Sequence, residues 1–336
     1  MVRYKIKISK ENKKNKIVCF RVDWNSKIGY GHYKRCLALA NLFVLEGYNV
    51  FLFTKSNINE LKKEGRVNIL KIKSDTEAIK IIKKNKIKLI IMDIEHPYQS
   101  ILKLRCIYKE YKNIGVSIIC WDSIFKTNFP FQAIYRPYPN LIKFPNNPKV
   151  KRVISGLKYL YFENVSKIRK KTNSVKNILV TLGAADRTAF LIKIMNIISR
   201  QNIKLKFHIV LKDIKFSKKK FKRNNIYFHK FFSNIRVALK TLNFDFAIIS
   251  DGMTKYELAY AGIPSLVVLE KKNKRIKNIW TKKNFGFLFS NLKNFEKNFK
   301  AIIENKKLLK KLSKNMFFLN QNNNKNIVKK LVWDIK

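Results

Sequence analysis

Two α/β domains, each a doubly wound parallel sheet, are predicted for this chain of 336 residues by three observations. Short, near-continuous apolar runs alternate with helical patterns, as in strands buried on both faces. A segment holding five of the seven prolines interrupts the alternation between about 128 and 150. The alternation then restarts, which places a domain connection at the interruption. The resulting domains are 1–150 and 151–336.

In the first domain, IVCFRVD (17–23) reads as a strand and is followed by the loop WNSKIGYG. A helix over about 32–46 stops at Gly47. NVFLF (49–53), LIIMDI (89–94) and VSIICWD (116–122) are the next strands. In the second domain NILVTLG (177–183) is a strand, followed by a helix over 188–200 and a strand over 204–211. A short helix near 233–241, the strand FAIIS (246–250), a helix over 253–261 and the strand SLVVL (265–269) come next, then more helix. The basic stretch 293–336 reads as helical, with a polar interruption, NQNNNKN, at 320–326. Sheets of this kind bind ligands beyond the carboxyl ends of their strands, here in the cleft between the domains.

Hydrophobic residues make up 46% of the chain, enough for a sizeable core, so wholesale disorder is excluded. No run of about 18 apolar residues predicts a membrane-spanning helix. The basic start MVRYKIKISKENKKNK lacks the apolar region of a secretory signal, so a cytoplasmic location is expected. Cys19, Cys36, Cys106 and Cys120 have no CxxC spacing and read as reduced core residues. The net charge of +52 is spread along the chain, where Asn and Ile, which share A/T-rich codons with Lys, are also abundant. It does not form the arginine-rich, aromatic-studded patch of a nucleic-acid binder, and no nucleic-acid partner is expected. The charge favours anionic small ligands and leaves peripheral contact with an anionic membrane open.

Three constellations can carry chemistry. Gly29-Tyr30-Gly31-His32 follows the first strand and opens a helix. Glycines there admit close backbone approach, and a helix N-terminus attracts an anion. A neutral His32 beside such a site suits a general base; a tight turn with a capping histidine is the other reading. Ser250-Asp251-Gly252-Met253-Thr254-Lys255-Tyr256-Glu257 ends a strand and opens a helix. Thr254 and the turn can hold phosphate oxygens, and Glu257, about one turn on, can accept both hydroxyls of a ribose; an ordinary acidic first turn is the alternative. Gly183-Ala184-Ala185-Asp186 offers small residues at a strand end. Asp23, Asp93, Asp122 and His96 also lie near strand ends, as functional groups or as turn caps. No cluster has metal-ligand spacing.

The run from Phe20 to Ala40, through Gly29-Tyr30-Gly31-His32 and Arg35-Cys36, closely resembles the N-terminal signature of the UDP-sugar hydrolases of pseudaminic acid biosynthesis. That family includes spore-coat polysaccharide proteins described as predicted glycosyltransferases. The run Asp251–Ser265 is similar to the nucleotide-binding signature of the GT-B superfamily, shared with the N-acetylglucosaminyltransferase that makes lipid II. The resemblance spans roughly residues 17–290. It implies a GT-B fold: two Rossmann-like domains facing across a cleft, with UDP held mainly by the C-terminal one. The implied activity is release of UDP from UDP-2,4-diacetamido-2,4,6-trideoxy-β-L-altropyranose by water, with His32 as base. A GT-B glycosyltransferase using a UDP-sugar in surface polysaccharide synthesis is the alternative. Glu257 would hold the ribose, and Gly252, Met253 and Thr254 would lie at the diphosphate. Asp23, Gly29, Gly31, Arg35, Gly183 and Asn273 complete the expected substrate-binding set. A UDP-sugar is the expected partner of a monomer, and neither a metal nor another cofactor is implied.

Overall fold

A computed structural model describes residues 16–25, 30–58, 66–94, 100–121, 129–138, 149–162, 174–183, 188–200, 204–211, 225–230, 242–270, 286–314 and 324–333. Gly29, His96, Asp122, Ala184, Ala185, Asp186, Asn273 and the helix expected near 233–241 lie outside the described residues.

The first body runs β1 (Ile17–Val22), α1 (Gly31–Leu45), β2 (Asn49–Thr54), β3 (Asn68–Lys71) and α2 (Asp75–Lys84). It continues with β4 (Leu89–Asp93), α3 (Ile101–Asn113), β5 (Ser117–Trp121), β6 (Ala133–Arg136) and β7 (Val153–Ser155). The second has β8 (Asn177–Thr181), α4 (Thr188–Ser199), β9 (Lys206–Leu211), β10 (Ile226–Lys230) and β11 (Phe246–Ser250). Then come α5 (Thr254–Tyr260), β12 (Ser265–Leu269), β13 (Phe287–Asn291), α6 (Phe295–Glu304), α7 (Lys306–Lys314) and α8 (Asn324–Val332).

Every strand pairing among the described residues is parallel. The first sheet is ordered β3-β2-β1-β4-β5-β6-β7 and the second β10-β9-β8-β11-β12-β13. The two share one topology. In each, the direction of winding reverses between the first strand and the fourth, β1/β4 and β8/β11. That reversal opens a crevice at the carboxyl edge of the sheet.

The sequence explains the double winding. Alternate residues of a strand face opposite sides, and β1 is apolar on both. Val18, Phe20 and Val22 pack under α1, whereas Cys19 joins Phe51 and Phe53 on the side of α2 and α3. In the second body β8 does the same, with Ile178 and Val180 toward α4, α6 and α7, and Leu179 toward α5. Helix α1 ends where expected, at Gly47, whose φ of +83° suits a residue without a Cβ.

The structure departs from the sequence reading at several places. The proline-rich stretch contains β6, which begins after Pro130 and stops before Pro137, since proline cannot donate into a ladder. The segment after β12, read as further helix, includes β13, whose Phe287 is drawn into the core. Cys106 is exposed on α3, while Cys19, Cys36 and Cys120 are buried. Strand β7 lies past residue 150 yet completes the first sheet. Helix α8 also leaves the second body and sets Ile327, Val328 and Leu331 into the core over α1, with Arg152 Nη2 donating to the Leu331 carbonyl at 3.1 Å.

Candidate active site

The crevice of the first sheet holds a buried polar cluster. β4 is apolar until its last residue, Asp93, which is 1% exposed at the carboxyl end. A buried carboxylate must be paired, and α1 supplies the partners. His32 and Arg35 are three residues apart, so both side chains leave α1 on one face. His32 Nδ1 lies 2.7 Å from Asp93 Oδ1. Arg35 grips the same carboxylate with two nitrogens, Nε at 2.5 Å from Oδ2 and Nη2 at 2.6 Å from Oδ1.

Burial alone would raise the Asp93 carboxyl. The charge of Arg35 and the contact with His32 outweigh it and hold the group well below the usual carboxylate range. Asp93 is therefore ionised and can only accept, so His32 Nδ1 must donate to it. The 3.1 Å approach of Arg35 Nη2 to the same Nδ1 is then a close contact between two donors. In the neutral ring, a proton on Nδ1 leaves the lone pair on Nε2. This is the tautomer a general base needs. A quarter of the His32 side chain remains exposed while Asp93 is sealed.

Arg35 is anchored on two further sides. Its Nη1 donates to the Tyr138 hydroxyl at 2.5 Å, and its guanidinium carbon lies 5.1 Å over the Trp121 ring. Trp121 Nε1 also donates to Tyr138, at 3.3 Å. Tyr138 then reaches the second body. Its ring stacks on Tyr256 of α5, centroids 5.7 Å apart and planes at 17°. Tyr256 is the neighbour of Glu257, which is half-buried in the first turn of α5. His32, Arg35 and the Thr254–Glu257 segment thus meet through one tyrosine.

Helix α1 starts at Gly31 after Tyr30 with no side-chain cap and no acidic residue in its first turn. By contrast, α2 is closed by Ser74, whose hydroxyl accepts from Glu77 N, and by the Glu77 carboxylate, which accepts from Lys73 N. A Cβ at Gly31 or at Gly252 would meet nothing within 4 Å. The crevice of the second sheet is pinned by Ser250 Oγ, which donates to the Leu182 carbonyl at 2.8 Å. Gly183 follows with φ +84°, and a Cβ there would sit 4.0 Å from Ser250 Oγ. Met253 precedes α5 and packs into its core, and Thr254 is its first residue. Lys255, 7% exposed, pairs with Asp251 and lies 4.8 Å over the Tyr256 ring.

Asp23 stands apart from this cluster. It accepts from Lys55 N at 2.7 Å and lies 2.6 Å from Arg21 Nη1, an ion pair without hydrogen-bond geometry. Arg21, 1% exposed, also donates to Asp75 at 2.8 Å, and Lys55 and Tyr111 reach that carboxylate too. This network joins β1, β2, α2 and α3 on the opposite face of the sheet. Sequence reading missed Tyr138 and Trp121 altogether, and it noted Asp93 without a role. For Asp93 the signal was present: a carboxylate ending a wholly apolar strand. Among the described residues, no group of three or more His, Cys, Asp or Glu is placed to hold a metal, and no helix is long and apolar enough to cross a membrane.

No family model matches the chain. It is 25% identical over 282 residues to an uncharacterized protein of Methanocaldococcus jannaschii, MJ1062, covering 75% of this chain and 55% of that one. The chain thus spans about half the length of this curated relative. Among solved structures it is similar to the spinosyn rhamnosyltransferase SpnG, with a TM-score of 0.66 and 9% identity over 94% of this chain and 99% of that one. It is also similar to S. aureus MnaA in co-structure with UDP, with a TM-score of 0.64 and 13% identity over 95% and 96%.

The chain has the GT-B fold. Two like-wound parallel sheets and structural likeness over almost the whole length agree on it.

Proposed function

We propose that this GT-B chain is a glycosyltransferase that takes a UDP-sugar as donor and passes the sugar to an acceptor hydroxyl in surface polysaccharide synthesis. The observation that carries the reading is the His32–Asp93 pair at the crevice of the first sheet, joined through Tyr138 to the helix of Glu257. The likeness to a rhamnosyltransferase and to a protein seen with UDP supports it.

In this mechanism the donor lies between the crevices. Glu257 accepts the ribose hydroxyls, and Gly183 and the Gly252-Met253-Thr254 turn receive the diphosphate. The uncapped start of α1 at Gly31 receives the sugar and its phosphate, and Gly29 belongs to the same substrate set. Asn273 belongs to the same substrate set. The acceptor oxygen attacks the anomeric carbon as the bond to UDP breaks. His32 Nε2 takes the acceptor proton, UDP leaves with the bonding electrons, and Asp93 stays ionised to stabilise the imidazolium. Arg35 acts by orienting Asp93. Asp23, expected among the substrate contacts, acts through the fold of the β1–β2 edge.

Hydrolysis is the second reading, and the Gly29-Tyr30-Gly31-His32 motif favours it. Water would then take the acceptor's place and UDP-2,4-diacetamido-2,4,6-trideoxy-β-L-altropyranose would be the substrate. Incubating the protein with a panel of UDP-sugars, with and without candidate glycan acceptors, and measuring released UDP separates the two. Release only with an acceptor supports transfer, release without one supports hydrolysis, and none under either condition overturns both.

A further inference from the structure

Tyr138 makes contacts of two different kinds. Its hydroxyl receives hydrogen bonds from Arg35 and Trp121, both in the first body. Its ring lies flat against Tyr256 of the second. Tyr256 is itself fixed, 3% exposed, edge-on to Phe287 at 5.8 Å and under the Lys255 ammonium. At the other end, Arg35 is held by Asp93, Trp121 and Tyr138 together, and Asp93 in turn sets the His32 ring. The backbone adds stiffness, since Tyr138 N donates to the Arg136 carbonyl at 2.7 Å and Pro137 lies between them. A shift of the second body at Tyr256 must therefore move the Tyr138 hydroxyl or break the stack. Either change alters the grip of Arg35 on Asp93.

We propose that Tyr138 is a positioning residue that couples the seat of the second domain, felt through Tyr256, to the orientation of the His32–Asp93 pair. The pair is aligned for proton transfer only while the domain carrying Glu257 is docked as it is here. A misplacement of an ångström or less at a base costs turnover more than binding. The effect on turnover rests on the enzymatic reading above; the coupling itself does not.

The test compares Tyr138→Phe, which keeps the ring and loses the hydroxyl, with Tyr256→Leu, which loses the stack, and with the double variant. Circular dichroism checks folding, and Tyr256→Met replaces Tyr256→Leu if the latter does not fold. The first readout needs no activity. The imidazole N–H resonance of His32 is observed in nitrogen-15-labelled protein and assigned by its disappearance in His32→Gln. Each single variant is expected to move this resonance and speed its exchange with water, the double variant to do no more, and Tyr256→Phe to restore it. A His32 resonance unchanged by loss of the Tyr256 ring overturns the proposal.

The second readout is UDP release. Each single variant is expected to lose roughly 10-fold in kcat with KM within about 2-fold, and the double variant the same roughly 10-fold. Losses that multiply in the double variant mean the two tyrosines act independently, which also overturns the proposal. If the unaltered protein releases no UDP from any donor, the enzymatic reading fails, and the His32 resonance still decides the coupling.

Discussion

Arg35 clasps both carboxylate oxygens of Asp93, at 2.5 and 2.6 Å, while the carboxylate itself is sealed from solvent. An arginine beside a glycine-rich helix start would ordinarily be assigned to the substrate's phosphates. Here it fixes the carboxylate that contacts His32 Nδ1. The geometry is bidentate, which gives direction as well as charge, and it holds the imidazole tautomer on which turnover depends in this reading.

Replacing the carboxylate by its amide removes that direction. Asp93→Asn is expected to lower UDP release by about 10²–10⁴-fold, because the amide can present a donor to His32 Nδ1 and favour the wrong tautomer. It also leaves Arg35 without its anion, at a cost to stability of about 3 kcal/mol. Steady-state assay and urea unfolding read the two effects separately. Turnover within 2-fold of the parent would remove Asp93 from the mechanism.

His32 and Glu257 lie on different bodies and are expected to fail differently. His32→Ala should abolish turnover while UDP still binds. Glu257→Ala should weaken UDP affinity by at least roughly 10-fold, since each of the two charge-assisted hydrogen bonds to the ribose contributes about 1.5 kcal/mol. Calorimetry with UDP decides between them. Unaltered affinity in Glu257→Ala would contradict the ribose contact.

Arg21 supplies a control far from the chemistry. Arg21→Met keeps much of the volume but leaves the buried Asp75 carboxylate with only Lys55 and Tyr111 as partners, so unfolding free energy should fall by about 3 kcal/mol. The kcat of protein that remains folded should be unchanged. A loss of kcat without loss of stability would show that the β1–β2 edge serves the site.

Acid should weaken the fold in two stages. His208 Nδ1 lies 3.0 Å from His229 Nε2, and burial, then the His229 and Lys206 charges, pull His208 down to about 4. The unfolded chain, with its histidines near 6.5, binds the proton first, so stability declines as pH falls from about 6.5 towards 4. Burial would raise Asp75, but Arg21 and then Lys55 hold it below its ordinary value. Its contribution is present above about pH 4 and is lost as pH falls through the lowered value. Urea midpoints across this range test both stages. His208→Gln should flatten only the first, and an unchanged slope there would exclude the histidine pair as its source.

Much of the fold was legible in the chain. β1, β2, β4, β8, β11 and β12 are apolar on both faces, and only a parallel sheet covered on both sides suits such strands. β13 and β6 were not legible. FLFSN and AIYR are too short for periodicity to distinguish strand from helix, and the prolines around β6 read as a break. The motif with His32 marked one wall of the site, yet its working partners lay elsewhere. Asp93 was visible as an anomaly in an apolar strand, and Tyr138 looked like part of a linker.

The sequence alone determined the alternation of strand and helix, the two-sheet architecture and the helix start that presents His32 and Arg35 on one face. Those features depend on neighbours within a few residues, and hydrophobic patterning encodes them locally. Tertiary structure alone decided that Asp93, 61 residues from His32, accepts the hydrogen bond of its Nδ1, and that Tyr138, 103 residues from Arg35, carries the contact to Tyr256. The choice among distant polar partners follows from strand order, which brings β4 beside β1. It also follows from the cost of leaving a buried charge unpaired, which requires a partner and does not name one.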